Sequence, residues 1–209
     1  MLLLLAFGLT LVYMGIADRV RRHIDMLILQ GILLFGMAII QLHHIEIVNL
    51  IFILLETLVV KAVILPLFLL RVKKRNEISK VSTMPVSGFS KGIWMAVIIA
   101  FSFIAGHLLH ESSDAIQAKY FSVGIAAILT GVMLIVKHDK ILTHLMGYLV
   151  LENGIFLLTL AVGGEMPIIV NGAILLDIVL AVLVLGLIIN RLSTNFGATT
   201  LEHLSELKD

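Results

Sequence analysis

The chain has 209 residues, of which 60% are hydrophobic and 14% are charged, and its formal net charge at pH 7 is +1. A soluble domain of this length could not bury so much apolar surface, so the composition predicts that the chain lies in a lipid membrane. The net charge gives no indication of nucleic-acid binding, and the lack of cysteine excludes disulfides and iron–sulfur clusters held by Cys.

Seven apolar segments of membrane length follow one another along the chain and predict an all-α, polytopic membrane protein with seven transmembrane helices. Their approximate ranges are 1–17, 25–42, 46–70, 92–110, 119–136, 141–162 and 167–190. The first segment lacks the basic leader and cleavage site of a signal peptide, so we interpret it as a retained span.

The basic residues indicate how these helices are oriented. Apart from Lys61 and Lys119, all Lys and Arg residues fall on connections that seven spans would place on one side. The positive-inside rule then predicts an N-terminus outside the membrane and a C-terminus in the cytoplasm.

The chain also contains a weak internal repeat. Residues 9–36 resemble residues 128–154, since each stretch has a span, a tight basic turn and a second span. The third elements match as well, with Glu56 opposite Asp177. We therefore expect two parallel three-helix units. Their ranges are 1–75 for the first unit, 76–118 for a basic cytoplasmic loop and linking helix, 119–192 for the second unit and 193–209 for a cytoplasmic tail.

Four charged residues, Glu56, Lys61, Glu152 and Asp177, lie well inside predicted spans, away from their ends. A charged side chain at the bilayer centre costs at least about 2.5 kcal/mol, so such residues are usually functional. At 1.5 Å per residue, Glu152 and Asp177 both lie about 15–17 Å from the start of their spans, near mid-membrane. Glu56 falls at a similar level, and the three acids predict a lateral row. The alternative is that these groups only hold helices together.

Lys61 lies five residues beyond Glu56, which in an α-helix is a rotation of about 140°. The two side chains are therefore expected on different faces, and Lys61 should find a carboxylate, or a water chain leading to one, on another helix. Pro66 should free a backbone carbonyl and kink the span near this lysine.

A stripe of polar residues in the sixth span leads toward Glu152. His144, Tyr148 and Glu152 are spaced four apart and so line one helix face from the cytoplasmic end to mid-membrane. Since His and Tyr both donate and accept hydrogen bonds, the stripe is a candidate proton path. The alternative is that His144 and Tyr148 are interfacial anchors, which is the more common role of such residues near a membrane end.

Glu152 and Asp177 are predicted on consecutive antiparallel helices joined by a short loop, which keeps such helices adjacent. If both face the shared interface, one of them should be protonated at neutral pH. Two ionised carboxylates at such a short distance are strongly disfavoured in a low dielectric. This pair is the predicted proton relay, with Glu56, Lys61, His144 and Tyr148 as its further members.

No metal or cofactor site is predicted. Four histidines, His43, His44, His107 and His110, fall near the predicted outer surface, but their spacings match no metal motif. Nucleotide-binding loops, nucleophile elbows and zinc signatures are absent from the sequence.

Four stretches together resemble the hydrogenase-4 component E family. They are "VVKAVILPLFL" (59–69), "GYLVLENG" (147–154), "LLDIVLAVLVL" (175–185) and "LEHLSELKD" (201–209). Residues 119–209 also resemble the K subunit of complex I and the C subunit of Mrp antiporters, which carry a glutamate in each of their last two spans. Glu152 falls on the first of these glutamates, and Asp177 falls on the second as an aspartate.

The resemblance implies a membrane subunit of a complex-I-like group 4 hydrogenase or formate hydrogenlyase complex in a prokaryotic cytoplasmic (inner) membrane. Such a subunit lies beside antiporter-like subunits and a membrane-bound oxidoreductase module, takes part in proton or sodium-linked translocation, and has no cofactor or catalytic residue of its own. Two alternatives stay open: a purely structural subunit that scaffolds the antiporter-like subunits, and an autonomous small secondary transporter.

Overall fold

The computed structural model describes residues 1–41, 55–75, 88–112, 117–138 and 141–162, and every regular element in these ranges is a helix. A π-helical segment, Leu55–Ile64, runs directly into α3. The α-helices are α1 (Leu2–Ile16), α2 (Val20–Gln41), α3 (Leu65–Arg75), α4 (Gly88–Ser112), α5 (Ala118–Lys137) and α6 (Ile141–Val162).

The described residues are all helical, as predicted, and four of their helices are long and apolar enough to cross a membrane, which supports a membrane-embedded protein. The spans are Val20–Ile40, Gly88–Leu109, Ala118–Lys137 and Leu142–Val162, and α1 is apolar but shorter. The predicted span 167–190 lies outside the described residues, so the count of seven stays a prediction.

Helix α2 begins at Val20, five residues before the predicted start of its span. Hydropathy detects only the part of a helix that lies in hydrocarbon, whereas the backbone hydrogen bonds continue through the polar interface. The helix therefore includes Arg21, Arg22 and His23, which the sequence placed in a turn.

The irregularity predicted at Pro66 takes the form of a change in helix type. The backbone is π-helical from Leu55 to Ile64 and α-helical from Leu65 onward. Pro66 has no N–H group to continue the π-helical ladder, so the change occurs directly before it. The angle of about 140° between Glu56 and Lys61 assumed α-helical geometry and does not apply, because π-helical bonds join residues five apart.

Helices α5 and α6 form an antiparallel pair whose backbones touch. Gly124 lies opposite Gly154, and Gly131 lies opposite Gly147. A Cβ atom added at Gly131 would lie 2.5 Å from the Gly147 carbonyl oxygen, and one at Gly154 would lie 2.8 Å from the Gly124 carbonyl oxygen. Such small-residue contacts allow close helix packing in membranes, and here they fix α6 against α5.

The other helices complete a bundle around this pair. Helix α1 contacts α2, α4 and α5, while α2 contacts the π-helical segment, α3 and α6. All described residues belong to one compact unit, Met1–Ile174. Its fully buried side chains include Phe7, Leu11, Met14, Leu34, Met37, Leu134, Met146 and Leu157.

Two contacts made by lysine side chains bring several helix termini to one end of the bundle. The Lys91 ammonium pairs with the Asp18 carboxylate, joining α4 to the α1–α2 turn. The Lys137 Nζ atom lies 4.2 Å from the centroid of the Trp94 ring, joining the end of α5 to α4. We call this end, which carries Arg19, Lys91 and Lys137, the basic end.

Helices α1 and α5 both terminate at the basic end and therefore run in the same direction. A parallel repeat requires this shared direction. The third helix of the second unit falls at 167–190, outside the described residues, so the repeat itself stays a prediction.

Candidate functional site

Helix α6 carries an acid and an amide into the interior of the bundle. Two thirds (67%) of its span is buried, compared with 22% of the span in α4. The side chains of Glu152 and Asn153, near the middle of this helix, are each only 3% exposed. Glu152 is therefore enclosed by protein and does not face lipid.

The cation that faces Glu152 is Lys61, on the π-helical segment. Its Nζ atom lies 4.0 Å from Oε1 of Glu152, and the two side chains are 6% and 3% exposed. The same Nζ atom lies 5.2 Å from the centroid of the Phe156 ring, one helical turn beyond Glu152. The prediction that Lys61 faces a carboxylate on a helix other than its own is confirmed.

The Lys61–Glu152 separation exceeds a direct hydrogen bond, which requires about 3.2 Å or less. A cavity of about 10 Å³ adjoins both groups, lined by Leu27, Lys61, Pro66, Leu149, Glu152 and Asn153. One water molecule needs about 10–15 Å³ and two to four polar partners, so this cavity is the size of a single water site. No described side chain donates a hydrogen bond to either Glu152 oxygen. The geometry fits a bridge through one water between the carboxylate and the ammonium.

A chain of hydrogen bonds runs from Asn153 across the bundle to α1. The Asn153 Nδ2 atom donates to Oε1 of Gln30 (3.0 Å), and the Gln30 Nε2 atom donates to Oγ1 of Thr10 (2.9 Å). The Thr10 hydroxyl in turn donates to the Phe7 carbonyl oxygen (2.6 Å). The three polar side chains are at most 3% exposed. This chain ties α6 to α2 and α1 at the level of the Lys61–Glu152 pair.

Sequence reasoning missed Gln30 and Thr10. Each is a single uncharged polar residue in an apolar span, a pattern that also fits a residue satisfied within its own helix. The one available signal was Gln30 itself, because an amide near the middle of a predicted span has no water to bond with and needs a partner.

Replacing Gln30 by leucine is expected to destabilise the bundle by about 1–2 kcal/mol, because the buried Asn153 amide loses its acceptor. The measurement is the unfolding midpoint of the purified protein in detergent. Gln117→Leu is the matched control, since its side chain is exposed and makes no capping bond. Equal midpoints for the two variants would show that the amide chain contributes nothing.

The predicted stripe on α6 leads from the basic end toward the pair, and its first member makes a structural contact. The His144 Nε2 atom lies 2.5 Å from the His138 carbonyl oxygen at the end of α5. Because a carbonyl only accepts, Nε2 carries the hydrogen and the ring links α6 to the end of α5. The Tyr148 side chain is half-buried, with its hydroxyl group in the interior. These contacts test neither the interfacial-anchor interpretation nor the proton path, and both stay predictions.

His23, near the start of α2, is a buried base that the sequence analysis did not select. Its ring is 0% exposed, and Nδ1 lies 3.1 Å from the Arg19 carbonyl oxygen. The carbonyl accepts the Nδ1 hydrogen. His23 was not selected from the sequence because the neighbouring Arg19, Arg21 and Arg22 indicated a solvated turn.

The remaining predicted residues fall partly or wholly outside the described set. The backbone of Glu56 belongs to the π-helical segment, but its side chain is outside the described part, and so is Asp177. Lys61 now provides Glu152 with a counter-charge, so the argument that Glu152 or Asp177 must be protonated no longer follows from two carboxylates alone. Among the described residues, no group of three or more His, Cys, Asp or Glu side chains is placed to hold a metal ion.

No protein-family model, curated protein or solved structure matches the chain. The function is therefore inferred from the buried charged residues.

Proposed function

We propose that the chain is a non-catalytic membrane subunit of a complex-I-like respiratory or energy-converting complex of the hydrogenase type. In this proposal its buried acids take part in proton, or sodium-linked, translocation. The observation that carries the proposal is the Lys61–Glu152 pair, with Nζ and Oε1 4.0 Å apart inside the bundle. A buried ion pair contributes little net stability, because desolvation offsets the attraction between the charges. Its presence in an apolar bundle is better explained by a task that needs an exchangeable proton.

The pair holds one exchangeable proton in two arrangements. With the proton on Lys61, the groups are an ammonium and a carboxylate; with the proton on Glu152, they are an amine and a carboxylic acid. In a low-dielectric interior the balance between these states responds strongly to any charge that arrives nearby. A charge change in a neighbouring subunit would therefore move the proton, through a bridging water, from one group to the other.

The proposed route uses the remaining predicted residues. Protons enter from the basic end along His144 and Tyr148, reach Glu152, and pass sideways to Asp177 and Glu56. The positive-inside rule makes the basic end cytoplasmic and places the N-terminus outside, in a prokaryotic inner membrane. The partners in this proposal are antiporter-like membrane subunits and a membrane-bound oxidoreductase module.

A purely structural role is the second candidate, and one observation favours it. The hydrogen bonds Asn153–Gln30 and Gln30–Thr10 connect three helices without any titratable group. Amides hold helices together but do not exchange protons readily. A scaffold subunit would use such a network and would not need the charges on Lys61 and Glu152.

The proposal is tested by purifying the protein from its native membrane in mild detergent and identifying the bound subunits by mass spectrometry. We expect antiporter-like subunits and a redox module in constant ratio to this chain. A chain that purifies alone and carries a solute across liposomes would instead be an autonomous transporter, and the proposal would be wrong.

A further inference from the structure

A groove at the basic end of α1 combines an apolar wall with two cationic side chains. Its volume is about 570 Å³, and it extends along Leu9, Val12, Tyr13 and Ile16 to Arg19 and Arg22. The wall faces away from the core: Leu9, Ile16 and Tyr13 are 70%, 44% and 40% exposed, whereas residues on the opposite face of α1, such as Phe7 and Leu11, are buried.

The charge of this groove is positive. Asp18 also lines it, but the Lys91 ammonium from α4 binds the Asp18 carboxylate. The guanidinium groups of Arg19 and Arg22 form no ion pair with a carboxylate of the described residues. Arg21 lies between them in the sequence, is exposed, and does not line the groove.

We propose that this groove binds an anionic phospholipid, with the phosphodiester between Arg19 and Arg22 and an acyl chain along Leu9, Val12 and Ile16. Guanidinium groups bind phosphate through paired hydrogen bonds, and basic pockets at the cytoplasmic ends of membrane helices recognise lipid head groups in this way. Tyr13 presents an amphipathic ring close to the level where tyrosines concentrate in membranes.

The dimensions of the wall suit one membrane leaflet. Leu9 and Ile16 are about 10 Å apart along the helix axis, and one leaflet of the hydrocarbon core is about 15 Å deep. An acyl chain whose head group sits at Arg19 would therefore lie against the apolar wall for most of its length. The site does not depend on proton translocation, so its failure would leave the proposed function intact.

The experiment is native mass spectrometry of the full-length purified protein with phosphatidylglycerol or phosphatidylcholine added at equal concentration. We expect the wild-type protein to retain phosphatidylglycerol preferentially. The double variant Arg19→Gln/Arg22→Gln should bind it about 10- to 30-fold more weakly, since each basic residue near a membrane surface contributes about a factor of five. Arg21→Gln is the matched control and should bind like the wild type.

Inorganic phosphate is the second probe and distinguishes a lipid site from a simple anion site. At the same concentration it should not displace the lipid, because it cannot use the apolar wall. The unfolding midpoint of each variant is measured in lipid-free detergent to verify that it is folded. Equal retention by the double variant, an equal loss in Arg21→Gln, no preference for the anionic lipid, or displacement by phosphate would each overturn the lipid assignment.

Discussion

If the chain belongs to an ion-pumping complex, as proposed, replacing Glu152 by glutamine should abolish the pH gradient that this complex forms in proteoliposomes. The amide keeps the shape and the hydrogen-bonding capacity of the side chain but cannot take up and release a proton. The redox activity of the complex with artificial electron acceptors should stay close to that of the wild type, because the proposed function gives this chain no part in the redox chemistry. Asp177→Asn should have the same effect if the lateral route exists.

The matched control for this substitution is Asp25→Asn, the same acid-to-amide change at an exposed position of α2. The control complex should pump normally. Normal pumping by Glu152→Gln would show that the acid only holds helices together. Loss of assembly in Glu152→Gln, with no complex to reconstitute, would favour the structural role.

Replacing Lys61 by methionine should also abolish pumping, and it should destabilise the protein in addition. The substitution leaves the Glu152 carboxylate without its buried cation, and breaking one side of a buried ion pair costs about 3–5 kcal/mol. The carboxyl group would avoid much of this cost by keeping a proton permanently, which would remove it from exchange. The unfolding midpoint and the pH-gradient assay measure the two effects separately.

The double variant Lys61→Met/Glu152→Gln removes both charges and distinguishes the two roles of the pair. We expect it to recover most of the stability lost in Lys61→Met, with a coupling of about 0.5–3 kcal/mol, and still not to pump. Lys119→Met, at an exposed position of α5, is the control for losing a lysine. A double variant that is both stable and active would show that pumping does not need the charges of this pair, and the proposed role of Glu152 would be wrong.

The parts of the site that could be predicted from sequence are the charges. Glu152 and Lys61 interrupt long apolar runs, and the cost of burying an unpaired charge predicts both their importance and the need for an opposite charge near Lys61. The identity of that partner could not be predicted, because it depends on which faces of α6 and the π-helical segment meet.

The hydrogen bonds that join Asn153, Gln30 and Thr10, and the π-helical backbone, could not be predicted from the sequence, for different reasons. Gln30 and Thr10 carry no charge, and the Gln30 amide signals only that it needs some partner, without indicating which helix supplies it. The amino-acid composition of Leu55–Ile64 does not indicate a π-helix, so α-helical geometry was assumed for this segment. His23 was hidden because hydropathy ends a span where the first charged residues begin, whereas α2 continues through them.

The four glycines of α5 and α6 illustrate the same limit. Each of them is unremarkable in an apolar sequence, and only the antiparallel register reveals that Gly124 meets Gly154 and Gly131 meets Gly147. This contact explains why α6 is rigidly held where it presents Glu152 to Lys61.

The central claim is that Glu152 changes its protonation state while the complex works, and infrared difference spectroscopy of the complex during turnover tests it most directly. The account predicts a carboxylic-acid band that appears or disappears with turnover, shifts in heavy water, is absent in Glu152→Gln and persists in Asp25→Asn. An identical difference band in the wild type and in Glu152→Gln would contradict it, because the exchanging proton would then belong to another group.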